Sequence, residues 1–173
     1  MLRYQITTDF NGIVIFEPHR LKQFFGGRIA EGTDLFTTFM SSDDGDEVIK
    51  QGIIIPILAI DDAGYSIEFY LNEKSARPQE QIVFENGIFP LYVEKQLVLA
   101  DLVVLKEWIE NLGWTVVDVP SGYYQVTIRG FKQENRLGHL TDCGYEVFLD
   151  STTSLPQLTA TLEINSRVLI PPS

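Results

Sequence analysis

The chain is poor in the side chains that most chemistry needs. It carries one cysteine, Cys143, and two histidines, His19 and His139, in 173 residues. A single thiol makes no internal disulfide and fits a reducing compartment. Two isolated histidines offer little for general acid–base work or for a histidine-rich metal site. Cations are scarce as well: 13 Lys and Arg stand against 24 Asp and Glu, a formal net charge of -11. Affinity for DNA or RNA rests on Lys and Arg displacing counterions from phosphates, so direct nucleic-acid binding is not expected. No apolar run approaches the ~18–20 residues of a membrane helix. The best candidate, IIIPILAI, is short and contains Pro56. The start, MLRYQITTDF, lacks the charged and apolar regions of a signal peptide, and a cytoplasmic protein that does not engage membranes is expected.

What is present suits a small β protein. Hydrophobic residues make up 45% of the chain, normal for a folded domain. A chain of this length buries roughly 70% of its unfolded surface, so neither disulfide, metal nor cofactor is required to hold it. The expected organisation is a single β domain over residues 1–150, with 151–173 as C-terminal strands and a frayed end of that same domain. Three turn signals separate β-prone runs. Asn11-Gly12 lies between YQITTDF and IVIFE, Asn86-Gly87 between IVFE and IFPLYVE, and Asp61-Asp62-Ala63-Gly64 between IIIPILAI and YSIEFYL. Each predicts a hairpin. In YSIEFYL, Tyr65, Ile67, Phe69 and Leu71 share one face, and Ser66 and Glu68 the other.

Residues 20–52, broken by Gly26-Gly27 and Gly32, show no clean helical stripe. They read as a long excursion with one short helix or strand, the natural place for binding specificity. The best helix candidate is LADLVVLKEWIENLG. Asp101 offers a cap, Leu102, Leu105, Ile109 and Leu112 recur at helical spacing, and Gly113 closes it; strand through 102–105 is the alternative. Then follow WTVVDV, YYQVTIRGF, YEVFL, TATLEI and RVLI, with STTSLPQ as a loop and PPS as the frayed end. The fold class is mainly β: an antiparallel β-sandwich or strongly bent sheet, with one short helix near 101–112.

Candidate chemistry is thin. Cys143 and His139 lie four residues apart with Asp142 between them, but HLTDCG reads as a turn and has neither a nucleophile setting nor a full ligand set. Asp43-Asp44-Gly45-Asp46-Glu47 lacks the spacing of a calcium loop and reads as a solvated acidic loop, or as a contact surface for a basic partner. The acidic excess is distributed, with eight basic residues against fifteen acidic before residue 101 and five against nine from 101 onward. No phosphate-cradling glycine loop is present. Thirteen prominent aromatics, from Phe10 to Tyr124, serve either as core or as the lining of a carbohydrate or peptide groove. Tyr123 and Tyr124 are adjacent in a predicted strand, so they point to opposite faces and one is placed outside as a contact residue.

The stretch VDVPSGYYQVTIRGF, residues 117–131, reads as the lead-in to a central strand. Pro120 fixes φ, Gly122 permits a turn, and Tyr124, Val126 and Ile128 share a face. The corner Val117-Asp118-Val119-Pro120-Ser121-Gly122-Tyr123-Tyr124-Gln125-Val126, together with Glu85-Asn86-Gly87-Ile88, weakly resembles the small acidic competence-protein-J group and kindred bacterial immunity-type proteins. The former are inhibitors of a bacterial DNA-entry nuclease. This chain has a longer middle and a longer C-terminal end. The resemblance implies a non-enzymatic protein-binding domain that occludes a basic toxin or nuclease. The candidate contacts are Asp43, Asp44, Asp46, Glu47 and Tyr123. A small-ligand or carbohydrate-binding β module is the alternative.

Overall fold

The structure, a computed structural model, describes residues 1–169. Among these the chain forms β1 (Leu2–Thr7), β2 (Gly12–Phe16), α1 (Pro18–Phe24), α2 (Leu35–Ser41), α3 (Asp44–Lys50), β3 (Ile54–Leu58), β4 (Gly64–Leu71), a 3-10 turn (Gln79–Gln81), β5 (Ile82–Val93), β6 (Leu97–Asp101), α4 (Val103–Lys106), β7 (Thr115–Val117), β8 (Gly122–Glu134) and β9 (Leu140–Thr152). Five strands make one sheet in the order β1-β4-β9-β8-β5, and four make a second in the order β3-β2-β6-β7. All pairs are antiparallel except β4 with β9, which run parallel. The mainly β expectation is met, and WTVVDV, YYQVTIRGF and YEVFL supply β7, β8 and β9.

The three predicted hairpins are not hairpins. At Asn11-Gly12 the chain leaves one sheet for the other, since β1 pairs with β4 whereas β2 pairs with β3 and β6. Burial explains the crossing: β1 is half exposed, while every residue of β2 is buried, which suits a strand covered on both faces. Thr8, fully buried, pins the corner by donating to Asp101 at 2.9 Å and accepting from the amides of Phe10 and Gly12. The turn at residues 61–64 is a second crossing, from β3 to β4. The two crossings are stitched together through Thr8 N to Ala63 O and Ile60 N to Asn11 O. Asn86-Gly87 lies inside the single strand β5 and leads into a bulge at Ile88; a side chain at Gly87 would meet Thr127 Oγ1 at 2.9 Å.

Helix content also departs from expectation. Residues 20–52 hold most of three seven-residue helices rather than one short element. Near 101–112 only α4, four residues long, is helical. The chain leaves the helix because its backbone pairs elsewhere: Trp108 N donates to Thr33 O and Gly32 N to Trp108 O. Beyond Thr152 the described residues carry no strand. TATLEI instead lies along β5 through Thr159 N and Ala160 N, both donating to Ile88 O, and through the Asn86 carboxamide on Thr161. RVLI runs past Leu169, and Ile170 and the PPS end lie outside the described residues.

The sheets share one core. Ile13, Ile15, Ile55, Ile57 and Leu99 of the small sheet are at most 2% exposed, as are Ile67, Tyr145, Val147, Val126 and Ile128 of the large one. Two tyrosines fasten strand starts in the same way, each donating to the carbonyl four residues upstream: Tyr65 to Asp61 and Tyr124 to Pro120. The Pro120–Tyr124 corner is thus the lead-in to β8, which lies between β9 and β5.

The far face of the large sheet is charged and covered. Register places Arg3, Glu68, Glu146, Arg129 and Glu85 side by side across all five strands. Glu68 and Glu146 are neighbours of like charge with side chains 3% and 0% exposed. Arg77, carried in by the β4–β5 connection, neutralises both. Its NH2 donates to Glu68 at 2.7 Å, its Nε lies 3.6 Å from Glu146 as an ion pair beyond hydrogen-bond reach, and its guanidinium sits 3.5 Å from the centre of the Phe131 ring. Arg3 and Arg129 flank the acids at 3.2 and 3.0 Å. At Gly144, a Cβ would fall 1.8 Å from Ser66 O, so the close β4–β9 approach requires glycine. Replacing Arg77 by Ala leaves two adjacent buried carboxylates short of countercharge and should cost about 3–5 kcal/mol in chemical denaturation. Adding Glu146→Gln should restore part of that. A loss below about 1 kcal/mol, the scale of a surface pair, would refute the role given to Arg77.

Candidate functional site

A groove forms where the three-helix excursion fails to cover the small sheet. In β3 alternate residues point to opposite sides. Ile55 and Ile57 enter the core, whereas Ile54, Pro56 and Leu58 floor the groove. Phe36, Phe39 and Met40 of α2 form one wall, Val48 and Ile49 of α3 another, and Leu102 and Leu105 close the base. Leu162 and Glu163, from the C-terminal segment, form one end. The space is about 420 Å³. Its charged lining residues are both acidic, Asp46 and Glu163. Met40 is 68% exposed and Leu162 40%, an unusual pair of apolar lips on a charged protein.

Local sequence builds this wall. Asp34 caps α2, accepting from Thr37 N at 2.9 Å, and Lys106 Nζ from α4 reaches the same carboxylate at 2.7 Å, tying two groove elements together. Those contacts, the Lys106 hydrogen bond first, hold the Asp34 carboxyl down at about 2. The acidic run Asp43 to Glu47 is helical, not a loop. Asp43 precedes α3, and Asp44, Asp46 and Glu47 occupy its first turn, where negative charge opposes the helix dipole favourably. Glu47 also accepts from Gln51 Nε2 at 2.9 Å. Among the described residues none of these four carboxylates is ion-paired, so their charge reaches solvent.

Tyr123 sits elsewhere, half-buried on the large sheet and stacked on Tyr92 with ring centres 4.4 Å apart. Arg20 covers the outer tier, its guanidinium 5.0 Å from the Tyr92 centre, while donating to Gly52 O just past α3. Tyr124 faces inward, as the alternation required. Of the thirteen aromatics, Phe36 and Phe39 line the groove; Phe16, Tyr65, Phe69, Trp108 and Tyr124 are core. Phe36, Phe39 and Met40 do stand at helical spacing behind the Asp34 cap, but over a single seven-residue helix that spacing is too short to read as a stripe. Leu162 and Glu163 had no sequence signal, because a strandless segment brings them in from the far end of the chain.

The residues around Cys143 do not assemble into a nucleophile. Cys143 is buried in β9 with its Sγ 3.8 Å from Gly64 O, and burial raises its thiol pKa. Asp142 is taken by Arg3 at 2.8 Å and by the Ser66 hydroxyl at 2.7 Å. His139 is exposed in the β8–β9 turn, where its amide donates to Asn135 Oδ1.

No protein-family model matches the chain, and no curated protein matches it. Among solved structures it is similar to ComJ from Bacillus subtilis, an inhibitor of the DNA-degrading activity of NucA. The identity is 15%, the match covers 88% of this chain and 96% of that one, and the TM-score is 0.48. It is also similar to crocagin biosynthetic gene J at 13% identity, over 87% and 94% of the two chains, with a TM-score of 0.49. These likenesses bear out the resemblance seen in the sequence as a weak one. Among the described residues no helix is long and apolar enough to cross a membrane.

The native Cys143 thiol should react with an aromatic disulfide reagent far more slowly than the denatured chain, and native labelling at the denatured rate would contradict its burial. Because the folded Asp34 carboxyl titrates at about 2, below its ordinary 3.8, its cap stabilises the fold fully above about pH 4 and is lost as pH falls toward 2. Lys106→Met should shrink the acid-induced fall in melting temperature over that window; an unchanged fall would remove Lys106 as the cause.

Proposed function

We propose that the protein is a non-enzymatic binding domain that occludes a basic protein partner, a toxin or nuclease, in the cytoplasm. One observation carries this reading: Asp46 and Glu163 are the charged residues lining an apolar groove, and Asp43, Asp44 and Glu47, with no ion pair among the described residues, lie on or next to the same short helix as Asp46. An acidic rim speeds encounter with a cationic surface and disfavours other partners, while apolar area beside it supplies residence time. Occlusion follows if the carboxylates engage the cationic groups with which the partner holds its own substrate. ComJ, inhibitor of the DNA-degrading activity of NucA, offers a precedent for such a role. Tyr123 provides a second contact, reached from α3 through Gly52 and Tyr92.

The test is inhibition of DNA degradation by a panel of basic bacterial nucleases, with and without this protein. Neutralising Asp43, Asp44, Asp46 and Glu47 together, to Asn or Gln, should weaken inhibition of a responsive nuclease at least roughly tenfold at low salt, with less effect at high salt. Undiminished inhibition by that variant would remove the electrostatic contact. A rise in melting temperature with oligosaccharides, and none with any basic protein, would favour a carbohydrate-binding module instead.

A further inference from the structure

We infer that the groove between α2, α3 and β3 is the seat of an amphipathic segment of the partner, one that inserts apolar side chains and flanks them with Lys or Arg. This rests on the proposed partner class and adds the chemistry of its contacting segment. Apolar area defines the anchor: Pro56 and Leu58 on the floor and Phe36, Phe39 and Met40 on the wall offer hydrocarbon and aromatic surface. At about 420 Å³ the space lies within the roughly 300–1,000 Å³ that pockets use to bury a compact apolar group.

Charge selects the flanks. Asp46 and Glu163 line the groove, and Asp43, Asp44 and Glu47 lie on or next to the same short helix as Asp46. Two cations lie near it. Lys106 is committed to Asp34; Lys50, one turn along α3 from Asp46, lines the adjoining hollow with Asp46 and Glu163 but is ion-paired to neither among the described residues, so the acids still outnumber it. An acidic amphipathic segment would meet like charge on both sides of its anchor, and an uncharged apolar ligand would leave the carboxylates unused. A basic one satisfies both features, by the helix-in-groove mode in which apolar anchors recur on one face. Pro56 in β3, with no amide proton to give, disfavours the competing mode of strand addition at this edge of the sheet.

The chain contains two methionines, Met1 and Met40. Met40 is on the groove wall, and Met1 pairs through its amine with Glu73 beyond β4. Methionine-methyl labelling of the full chain therefore gives a groove reporter and an internal control. The probe is an amphipathic Leu/Lys helical peptide, compared with the same peptide carrying Ser for every Leu. The expected result is saturable binding of the Leu/Lys peptide that shifts the Met40 methyl and spares Met1. The Ser peptide should bind at least roughly tenfold more weakly. Met40→Lys and Leu162→Lys, at exposed positions that leave the fold intact, should each weaken the Leu/Lys peptide to a similar degree.

Equal affinity for the two peptides, or a shift at Met1 without Met40, would overturn the groove as the seat. So would full affinity in both Lys variants. Those results leave the partner class standing if the four-acid variant still loses nuclease inhibition. If Met40→Lys and Leu162→Lys lose peptide binding while the four-acid variant inhibits nucleases normally, the groove is retained and the electrostatic reading falls.

Discussion

Arg77 is the constraint on which the large sheet depends. The parallel pairing of β4 with β9 sets Glu68 beside Glu146, and the register then extends the row to Arg3 at one edge and to Arg129 and Glu85 at the other. Two buried carboxylates side by side are affordable only with cations in contact. Those on the strands lie at the flanks, so the shared one must come from outside the sheet. The β4–β5 connection delivers it, and in doing so becomes a cover for the outer face. That cover, with Arg3, Gln5 and Asp142 gathered on Ser66, explains why Ser66, Glu68 and Tyr70 are buried along with Tyr65, Ile67 and Phe69. A strand that alternates in sequence is therefore dry on both sides.

The same arrangement shows what was readable in the sequence. Strand existence and the inward faces followed from alternation, as in Tyr124, Val126 and Ile128, because side-chain period is a local property. Connectivity did not follow. Asn11-Gly12 and residues 61–64 have the composition of hairpin turns, and Asn11 does take a positive φ of 53°. Yet the deciding contact is Thr8 with Asp101, more than ninety residues away. Asn86-Gly87 fails for a related reason: its side-chain amide is used to catch Thr161, so the strand bulges and continues. The short helices were hidden by length, since seven residues make too few turns for a stripe to stand out and most of their stability comes from packing.

The groove is a consequence of these choices. Phe16, Val14 and Ala100 share the helix-facing side of the small sheet with Ile54 and Pro56, and the buried Trp108 packs on Phe16 with ring centres 6.0 Å apart. Helices of seven and four residues cannot roof a four-stranded sheet completely. The uncovered part lies over β3, an edge strand, and the segment from β9 onward reaches back to close one end with Leu162. The candidate acids were legible as a run. Their relation to the groove was not, because it depends on β3 and on residues 162–163 arriving from separate parts of the chain.

The distribution of cations explains why the acidic character is felt at α3. Arg3, Arg77 and Arg129 are consumed by the buried row, Lys22 by Glu110, Lys106 by Asp34, Lys132 by Glu134 and Arg167 by Asp61. Arg20 is used on Gly52 O and the Tyr92 ring. Apart from Arg20, each of these cations sits against a carboxylate, so pairing hides positive charge without reducing the excess. The unpaired carboxylates carry that excess to the surface, and α3 gathers four of them, or their immediate neighbour, within one helical turn. Surface charge spread evenly would serve solubility alone. Here part of it, through Asp46 and Glu163, borders exposed Met40 and Leu162, where solubility would favour polar side chains, and that juxtaposition is what the proposed contact rests on.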